Sequence, residues 1–166
     1  MKTILSKILI VLLLLSPALT IAASPVHYPI HNTHFSGSEQ FTRFGDWGTY
    51  KVVSGVYFTK DFIVYDADTT DDPRVSGEAV TTVNMIYTGD PYFGTGPLWG
   101  TIHLTNSGGG WNIIFSGYQP SDCHTKVYGL GRGEGGYQGL TAVWEYKSDD
   151  CMYTSTISGV ITEHHR

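Results

Sequence analysis

Charged residues are scarce in this chain of 166 residues, and basic residues are the scarcest of them. Asp, Glu, Lys and Arg make up 15% of the sequence, against about 25% in a typical soluble protein. Only 10 residues are Lys or Arg and the formal net charge is −5, so the chain lacks the basic surface that a nucleic acid requires. Aromatic residues reach 13%, which argues against a disordered or coiled-coil chain. We expect a packed, β-rich domain that does not bind nucleic acid.

Long apolar runs are also missing, apart from one near the amino terminus. The run Ile8–Leu15 is too short to cross a bilayer, which takes about 20 apolar residues. It follows Lys2 and Lys7 and precedes small residues that end at Ala23, the pattern of a secretory signal peptide over residues 1–23. We therefore predict no membrane span and a secreted or periplasmic protein whose exported part carries a net charge of −7.

Cysteine is limited to two residues, Cys123 and Cys151, separated by 27 others. In an exported chain this pair predicts a disulfide bond. A structural bridge is favoured over a catalytic thiol, because no partner base is evident for a thiol. In the chain-entropy model a loop of this length contributes about 3 kcal/mol to stability.

Helical periodicity is absent, and short stretches rich in β-branched and aromatic residues alternate with turn residues instead. Residues 24–40 contain prolines and histidines without any period and are interpreted as an extended surface arm. The remaining residues, 41–166, form one domain. Its predicted strands are Gly48–Val53, Gly55–Asp66, Ser76–Tyr87, Pro97–Thr105, Trp111–Tyr118, Lys126–Leu130, Tyr137–Tyr146 and Tyr153–Thr162.

Eight strands joined by short turns favour an all-β fold with antiparallel neighbours. Closure into a single eight-stranded antiparallel barrel is the simplest way to remove the exposed sheet edges. In the seventh predicted strand, Leu140, Ala142, Trp144 and Tyr146 share one face. The opposite face is not fully polar either, so we expect a homo-oligomer or an interior cavity lined by side chains.

Two segments resemble the barrels of allene oxide cyclase-like and dirigent-like proteins. Residues Gly129–Ala142, with the sequence GLGRGEGGYQGLTA, are similar to a G-x-G-x-Y-x-G-L segment of that superfamily. Residues Gly96–Thr101, followed by Gly110-Trp111, look like its paired central strands. The resemblance covers Gly94–Ile161 and implies an eight-stranded antiparallel barrel, often dimeric or trimeric, whose apolar cavity binds or shapes a small hydrophobic molecule. It carries over no catalytic residue.

The glycine-rich run itself predicts a bulge or a close approach of neighbouring backbones at a barrel corner. A phosphate-binding loop would need a helix after it, and the residues from Tyr137 onward are strand-like. Arg132 and Glu134 are interpreted as a solvated ion pair, although they could face a cavity mouth.

Two groups of residues have side chains that could bind a metal ion. His27, His31 and His34 lie within eight residues, and imidazoles bind Zn²⁺, Cu²⁺ or Ni²⁺. Exposed arm residues are the favoured interpretation, because a flexible arm does not preorganise a site. The segment Asp66–Asp72 has four carboxylates and could hold Ca²⁺, but a solvated turn is favoured. No motif predicts a cofactor.

Catalysis inside a barrel needs an inward-facing acid or base, and the candidates on predicted strands are Glu78, His103 and Glu145. No G-x-S-x-G motif is present, which argues against a nucleophile of the α/β-hydrolase type.

Two functions follow as hypotheses. The favoured one is a non-catalytic exported barrel that binds a small hydrophobic molecule or a partner protein through aromatic residues. Its candidate ligand-binding residues are Tyr87, Trp99, Tyr118 and Trp144. The alternative is an isomerase or cyclase like the allene oxide cyclase-like and dirigent-like barrels, which would act by folding a hydrophobic substrate in the cavity. Carbohydrate binding by exposed aromatic rings is a weaker option.

Overall fold

The structure is a computed structural model that describes residues 30–90, 94–122, 124–148 and 154–164. These residues form nine β-strands and one short 3₁₀ helix, and none of them lies in an α-helix. The strands are β1 (Ile30–Phe44), β2 (Thr49–Val53), β3 (Val56–Thr70), β4 (Gly77–Thr88), β5 (Gly96–Asn106), β6 (Gly109–Gln119), β7 (Thr125–Gly135), β8 (Leu140–Ser148) and β9 (Thr154–His164). Within the described ranges there is no helix of the length and apolarity that a membrane crossing requires.

Eight of the strands form a closed antiparallel barrel, which confirms the predicted fold class. From β3 to β9 each strand pairs with the next, and β1 closes the cylinder by pairing with both β9 and β3. The strand β2 lies outside this ring, since it pairs with β3 alone. All five residues of β2 are exposed.

The first strand of the barrel is the main difference from the sequence analysis. Residues 24–40 were expected to form a surface arm, but from Ile30 onward they belong to β1. The predicted strand Gly48–Val53, expected in the barrel, corresponds to the external β2. Histidines and short polar residues obscure the alternation of β1, yet Phe35 points inward and is 3% exposed. Backbone hydrogen bonds to two neighbouring strands stabilise this polar segment.

The interior of the barrel is largely filled by its own side chains. Inward-facing residues of β8, including Ala142 and Trp144, are buried as their alternation predicted. Trp144 meets Trp111 edge to face at 5.2 Å between ring centroids. A Cβ atom at Gly131 would lie 2.3 Å from Cζ3 of Trp144. The absence of a side chain at this position of β7 therefore leaves room for the indole ring. This is the structural reason for a glycine-rich run at this position.

A 3₁₀ helix, Pro73–Val75, closes the lower end of the barrel, where β3 ends and β4 begins. Its Val75 is fully buried. The Trp111 indole donates a hydrogen bond to the Arg74 carbonyl oxygen at 2.8 Å. Arg74 also forms ion pairs with Asp72 at 2.7 Å and with Glu163 at 2.6 Å. The 3₁₀ helix therefore covers the interior at this end; we call the opposite end, where β1 ends and β9 begins, the upper end.

Candidate functional site: buried carboxyl groups beneath an aromatic rim

Three acidic side chains, Glu39, Asp66 and Asp68, point into the barrel from the adjacent strands β1 and β3; we call them the carboxyl cluster. Glu39 lies directly opposite Asp68 in the ladder, and paired residues of this kind have Cβ atoms about 5 Å apart. Asp66 is two residues from Asp68 and therefore faces the same side. Asp66 and Asp68 are both buried. The ladder thus brings three acids together, of which the two aspartates are buried and Glu39 is partly exposed.

Only part of the hydrogen-bonding capacity of the carboxyl cluster is used. Thr81 donates a hydrogen bond to Oδ2 of Asp66 at 3.0 Å, and Ser155 is hydrogen-bonded to Glu39. Both oxygens of Asp68 are buried without a partner, and so is the hydroxyl of Tyr146. More than nine-tenths of buried polar groups in native proteins have a partner. Unfilled acceptors and a free hydroxyl in one place mark this part of the interior as unusual.

Burial changes the protonation of these acids, because an isolated charge is costly away from water. Burial raises the pKa of Asp66 to about 6. Burial, with the nearby charge of Asp66, raises the pKa of Asp68 to about 8. The pKa of Glu39 is also raised well above its usual value, by burial and then by the two aspartates. At neutral pH Asp68 therefore holds a proton while Asp66 is largely ionised.

Tyr146 of β8 faces the carboxyl cluster from the other wall of the barrel. Its side chain is 5% exposed. Burial raises the pKa of the phenol well above its usual value, and the negative charges of Asp68, Glu39 and Asp66 raise it further. The hydroxyl consequently stays protonated and is available as a donor to a group placed among the acids.

Four aromatic rings form what we call the aromatic rim, above the carboxyl cluster at the upper end. Phe41 is paired with Asp66, and Phe44 with Val64, so both face the same side of the ladder as the acids. Phe44 contacts Trp47 at 5.2 Å and Phe62 at 5.8 Å between centroids. Trp47 stacks on Phe62 at 5.3 Å and is 63% exposed. The rim therefore offers a flat aromatic surface to solvent next to buried acids.

The turn between β1 and β2 holds Trp47 in this position. Gly45 and Asp46 exchange backbone hydrogen bonds with Ile63 of β3, each at 2.8 Å. Asp46 also accepts a hydrogen bond from the Gly48 amide. Gly48 has a φ of 62°, and a Cβ atom there would lie 2.1 Å from the Lys60 carbonyl oxygen. Only glycine fits at position 48 of this turn. The turn in turn holds the indole of Trp47 over Phe62.

The four residues proposed from sequence to bind a ligand do not converge. Trp144 and Tyr87 face the interior, where Trp144 is fully buried and Tyr87 stacks on Tyr57 at 5.1 Å. Trp99 and Tyr118 are exposed on the outside of β5 and β6. The structure therefore divides the set between the two faces of the sheet, and no single pocket contains all four.

The three candidate acid or base residues all lie outside the barrel. Glu78 is exposed on β4. His103 is half exposed, with Nε2 3.6 Å from a carboxylate oxygen of Glu134, and Glu134 also accepts a hydrogen bond from Asn112. Glu145 accepts a hydrogen bond from Lys147, which lowers the pKa of its carboxyl group. None of the three contacts the carboxyl cluster.

The histidines and the acidic segment are also distributed. His31 and His34 lie on opposite faces of β1 because their spacing is odd, and His27 lies outside the described residues, as do Cys123, Cys151 and residues 1–23. Among the described residues, no group of three His, Cys, Asp or Glu side chains has an arrangement that could hold a metal ion. Asp71 accepts hydrogen bonds from the amide and hydroxyl of Ser36. The segment Asp66–Asp72 is therefore not a solvated turn, since it begins inside a barrel strand.

A second feature lies on the outside of the barrel, where apolar residues occupy successive positions of one cross-strand row. Ile114 pairs with Leu130, Leu130 with Val143, and Val143 with Val160. Ile114 is 71% exposed, and Leu130 and Val143 are also more than half exposed. We call this row the outer stripe. Arg132 borders it on one side. Glu145 borders it on the other.

Comparisons with known proteins found no matching family model, no matching curated protein and no matching solved structure.

Proposed function

We propose that this protein is a small-molecule-binding barrel whose ligand enters at the upper end and contacts the aromatic rim. The observation that carries the proposal is the exposed stack of Trp47 on Phe62. Binding sites combine apolar and aromatic walls with a few convergent polar groups. Phe41 of the rim is the ladder partner of Asp66, so the rim adjoins the nearest acid of the carboxyl cluster.

The rest of the interior supports the same entrance. Trp111, Trp144 and Ile161 fill the lower half of the barrel and are fully buried, and the 3₁₀ helix closes the end beneath them. Phe115, Tyr146 and Ile157 are buried in the upper half, so we place the ligand on the exposed rings of the rim. Its apolar part covers rings that are now exposed, which is favourable in proportion to the apolar area removed from water.

Fluorescence titration tests this proposal. Dansylamide, a neutral aromatic probe, accepts energy from tryptophan, and we expect saturable binding by the full exported chain. Trp47→Ala should weaken binding by about tenfold, because an aromatic contact contributes about 1 kcal/mol beyond its buried area. Trp99→Ala is the matched control, since Trp99 is an exposed tryptophan on the outer face. Equal effects of the two substitutions, or no saturable binding, would contradict a site at the rim.

The outer stripe favours a second function, binding of a second copy of this chain. Exposed apolar residues that are contiguous over several strands mark interaction surfaces. Two copies can pack with their outer stripes in contact, related by a two-fold axis that runs along the row. In this arrangement the Arg132 side of one copy faces the Glu145 side of the other. Unlike charges then meet along both borders of the interface.

Native mass spectrometry and sedimentation velocity test self-association. We expect a dimer that dissociates when Leu130→Glu places a charge in the middle of the stripe. Val52→Glu is the control, because Val52 is an exposed apolar residue on β2, away from the stripe. A chain that is monomeric at high concentration, or a dimer that survives Leu130→Glu, would refute this interface.

A further inference from the structure

We propose that the ligand bound at the aromatic rim carries an organic cation, an ammonium or guanidinium group, which is held among Glu39, Asp66, Asp68 and the Tyr146 hydroxyl. This inference rests on the proposed function, since it names the chemical class of the ligand that enters at the rim. It does not depend on the outer stripe.

The groups that face this part of the interior are acidic or neutral on every strand packed around it. The strands β1 and β3 contribute the carboxyl cluster, and β8 contributes Tyr146. The neighbouring strands β4 and β9 contribute the hydroxyls of Thr81 and Ser155. Among the described residues no lysine, arginine or histidine reaches these acids. A cation supplied by a ligand would be the first positive charge in the cluster.

The hydrogen-bonding pattern fits a donor-rich group. Both oxygens of Asp68 are buried acceptors without a donor, and an ammonium or guanidinium group has three to five N–H donors. The Tyr146 hydroxyl is an independent sign that something is missing from this space, because it is also buried and unpartnered. It can accept one N–H of the cation while it donates to a carboxylate oxygen.

The aromatic rim suits the remainder of such a ligand. Phe41 is the ladder partner of Asp66, so the ring and the acid are adjacent along the entry path. Aromatic faces attract cations and also cover apolar carbon. A molecule with an aryl or alkyl body and a cationic end can therefore place its body on Phe41 and its cation beside Asp66.

An organic cation is favoured over a metal ion by the arrangement of the acids. A calcium or magnesium ion takes about six or more oxygen ligands at short, defined distances. Among the described residues no three acidic or imidazole side chains are arranged to share one metal ion. An ammonium group needs fewer oxygen atoms around it, and these lie at hydrogen-bond distance with less strict geometry.

Cation binding has a measurable proton balance. The neutral Asp68 carboxyl group of the free protein ionises when a positive charge arrives beside it. The O–H bond of the acid breaks, its electron pair stays on the carboxylate, and the proton passes to the buffer. We expect release of about one proton for each cation bound near pH 7.

Isothermal titration calorimetry tests the inference with two probes of the same shape, phenethylammonium and phenethyl alcohol. At pH 7 we expect the cation to bind about tenfold or more tightly than the alcohol. Titrations in two buffers of different ionisation enthalpy measure the released proton. Asp68→Asn should remove both the preference and the proton release. This variant should fold, because the amide replaces a carboxyl group that is already neutral.

The outcomes separate this inference from the proposed function. Equal affinity for the two probes, with binding that still depends on Trp47, would overturn the cationic class and leave the ligand site intact. Cation binding that is unchanged in both Asp68→Asn and Asp66→Asn would place the cation elsewhere and overturn the inference. If neither these probes nor dansylamide bind, the proposed function itself fails.

Discussion

Asp68 combines two properties that rarely occur together in one side chain. It is 3% exposed, and neither carboxyl oxygen has a hydrogen-bond partner. A charge in this place would be uncompensated, so the folded protein keeps the acid protonated up to a pH of about 8. The stability of the protein is therefore linked to the pH at which this proton is lost.

We predict that the free energy of unfolding falls as the pH rises from about 4 to about 8. In the unfolded chain Asp68 loses its proton near pH 3.9, whereas in the folded protein its pKa is about 8. Between these values the folded state holds a proton that the unfolded state has released. The stabilisation is complete below the lower value and is lost as the pH passes the upper one. Asp66, with a pKa of about 6, adds to the fall in the lower part of this range.

Urea denaturation at pH 5, 6.5 and 8 measures this effect. We expect the unfolding free energy to decrease by about 5 kcal/mol across the range. Asp68→Asn should flatten the dependence and make the protein more stable than wild type at pH 8. Stability that rises over this interval, or the same slope in the variant, would show that Asp68 does not hold its proton in the folded state.

Gly131 supports a second prediction for a single residue. A Cβ atom there would lie 2.3 Å from Cζ3 and 3.0 Å from Cη2 of Trp144. Gly131→Ala should therefore destabilise the protein by about 1–3 kcal/mol through overpacking. Thermal denaturation measures the loss.

The rescue variant identifies the cause. Phenylalanine lacks Cζ3 and Cη2, so the double variant Gly131→Ala, Trp144→Phe should lose less stability than the sum of its two single variants. Additive losses would mean that the glycine is required for another reason.

The candidate site shows which residues a sequence discloses and which it does not. Asp66 and Asp68 are two positions apart, the spacing of residues that share one face of a strand. The predicted strand ends at Asp66, however, so the acids after it are predicted to lie in a turn. Extending the strand to Thr70, where β3 ends, would have placed both aspartates inside. Glu39 could not be recognised, because its segment lacks the apolar alternation of a buried strand. Only the register of β1 with β3 brings it opposite Asp68.

Among the strands, β1 and β2 do not occupy the positions that their sequences predict: β1 belongs to the closed barrel, and β2 lies outside it. The segment Thr49–Val53 has the β-branched residues of a strand and does form one, but its partner is β3 alone. The polar β1 lies between β9 and β3. Propensity predicts that a strand exists, whereas its position in the sheet depends on pairings between distant parts of the chain.

We predict that β2 opens far more often than β1. Hydrogen–deuterium exchange followed by mass spectrometry should show rapid exchange in peptides from β2 and slow exchange in peptides from β1. The reason is that β2 is exposed throughout and hydrogen-bonded on one side. Protection of β2 equal to that of β1 would instead indicate that a partner or a second copy covers it.

At the scale of the whole molecule, strand patterns, turn chemistry and the need to remove sheet edges predict a closed eight-stranded antiparallel barrel, although the eight predicted strands included β2 in place of β1. The strands β4, β5, β6 and β9 lie within two residues of their predicted bounds, whereas β7 continues to Gly135 instead of ending at Leu130 and β8 begins at Leu140 instead of Tyr137. The interior could not be predicted in the same way. A cylinder of this sequence could have held an apolar cavity, and it was the combined volume of Trp111, Trp144 and their neighbours that filled the lower half.

A disulfide bond between Cys123 and Cys151 is the remaining prediction for the molecule. Thr125 and Ser148 are paired across β7 and β8. Cys123 precedes Thr125 by two positions, and Cys151 follows Ser148 by three. We expect a mass lower by two hydrogens in the oxidised protein than in the reduced one. Replacing both cysteines by serine should lower the unfolding free energy by about 3 kcal/mol. Free thiols in protein purified from an oxidising compartment would contradict this bond.

The pairing of β1 with β9 joins segments about as far apart as the described chain allows, with Ile30 opposite His164. A ribosome delivers β9 long after β1, so the nascent polypeptide cannot close its barrel until β9 has been synthesised. Until then β3 to β8 can form only an open, curved sheet with two unprotected edges, which are prone to aggregation. The closed, rigid fold therefore forms only after β9 is available to pair with β1.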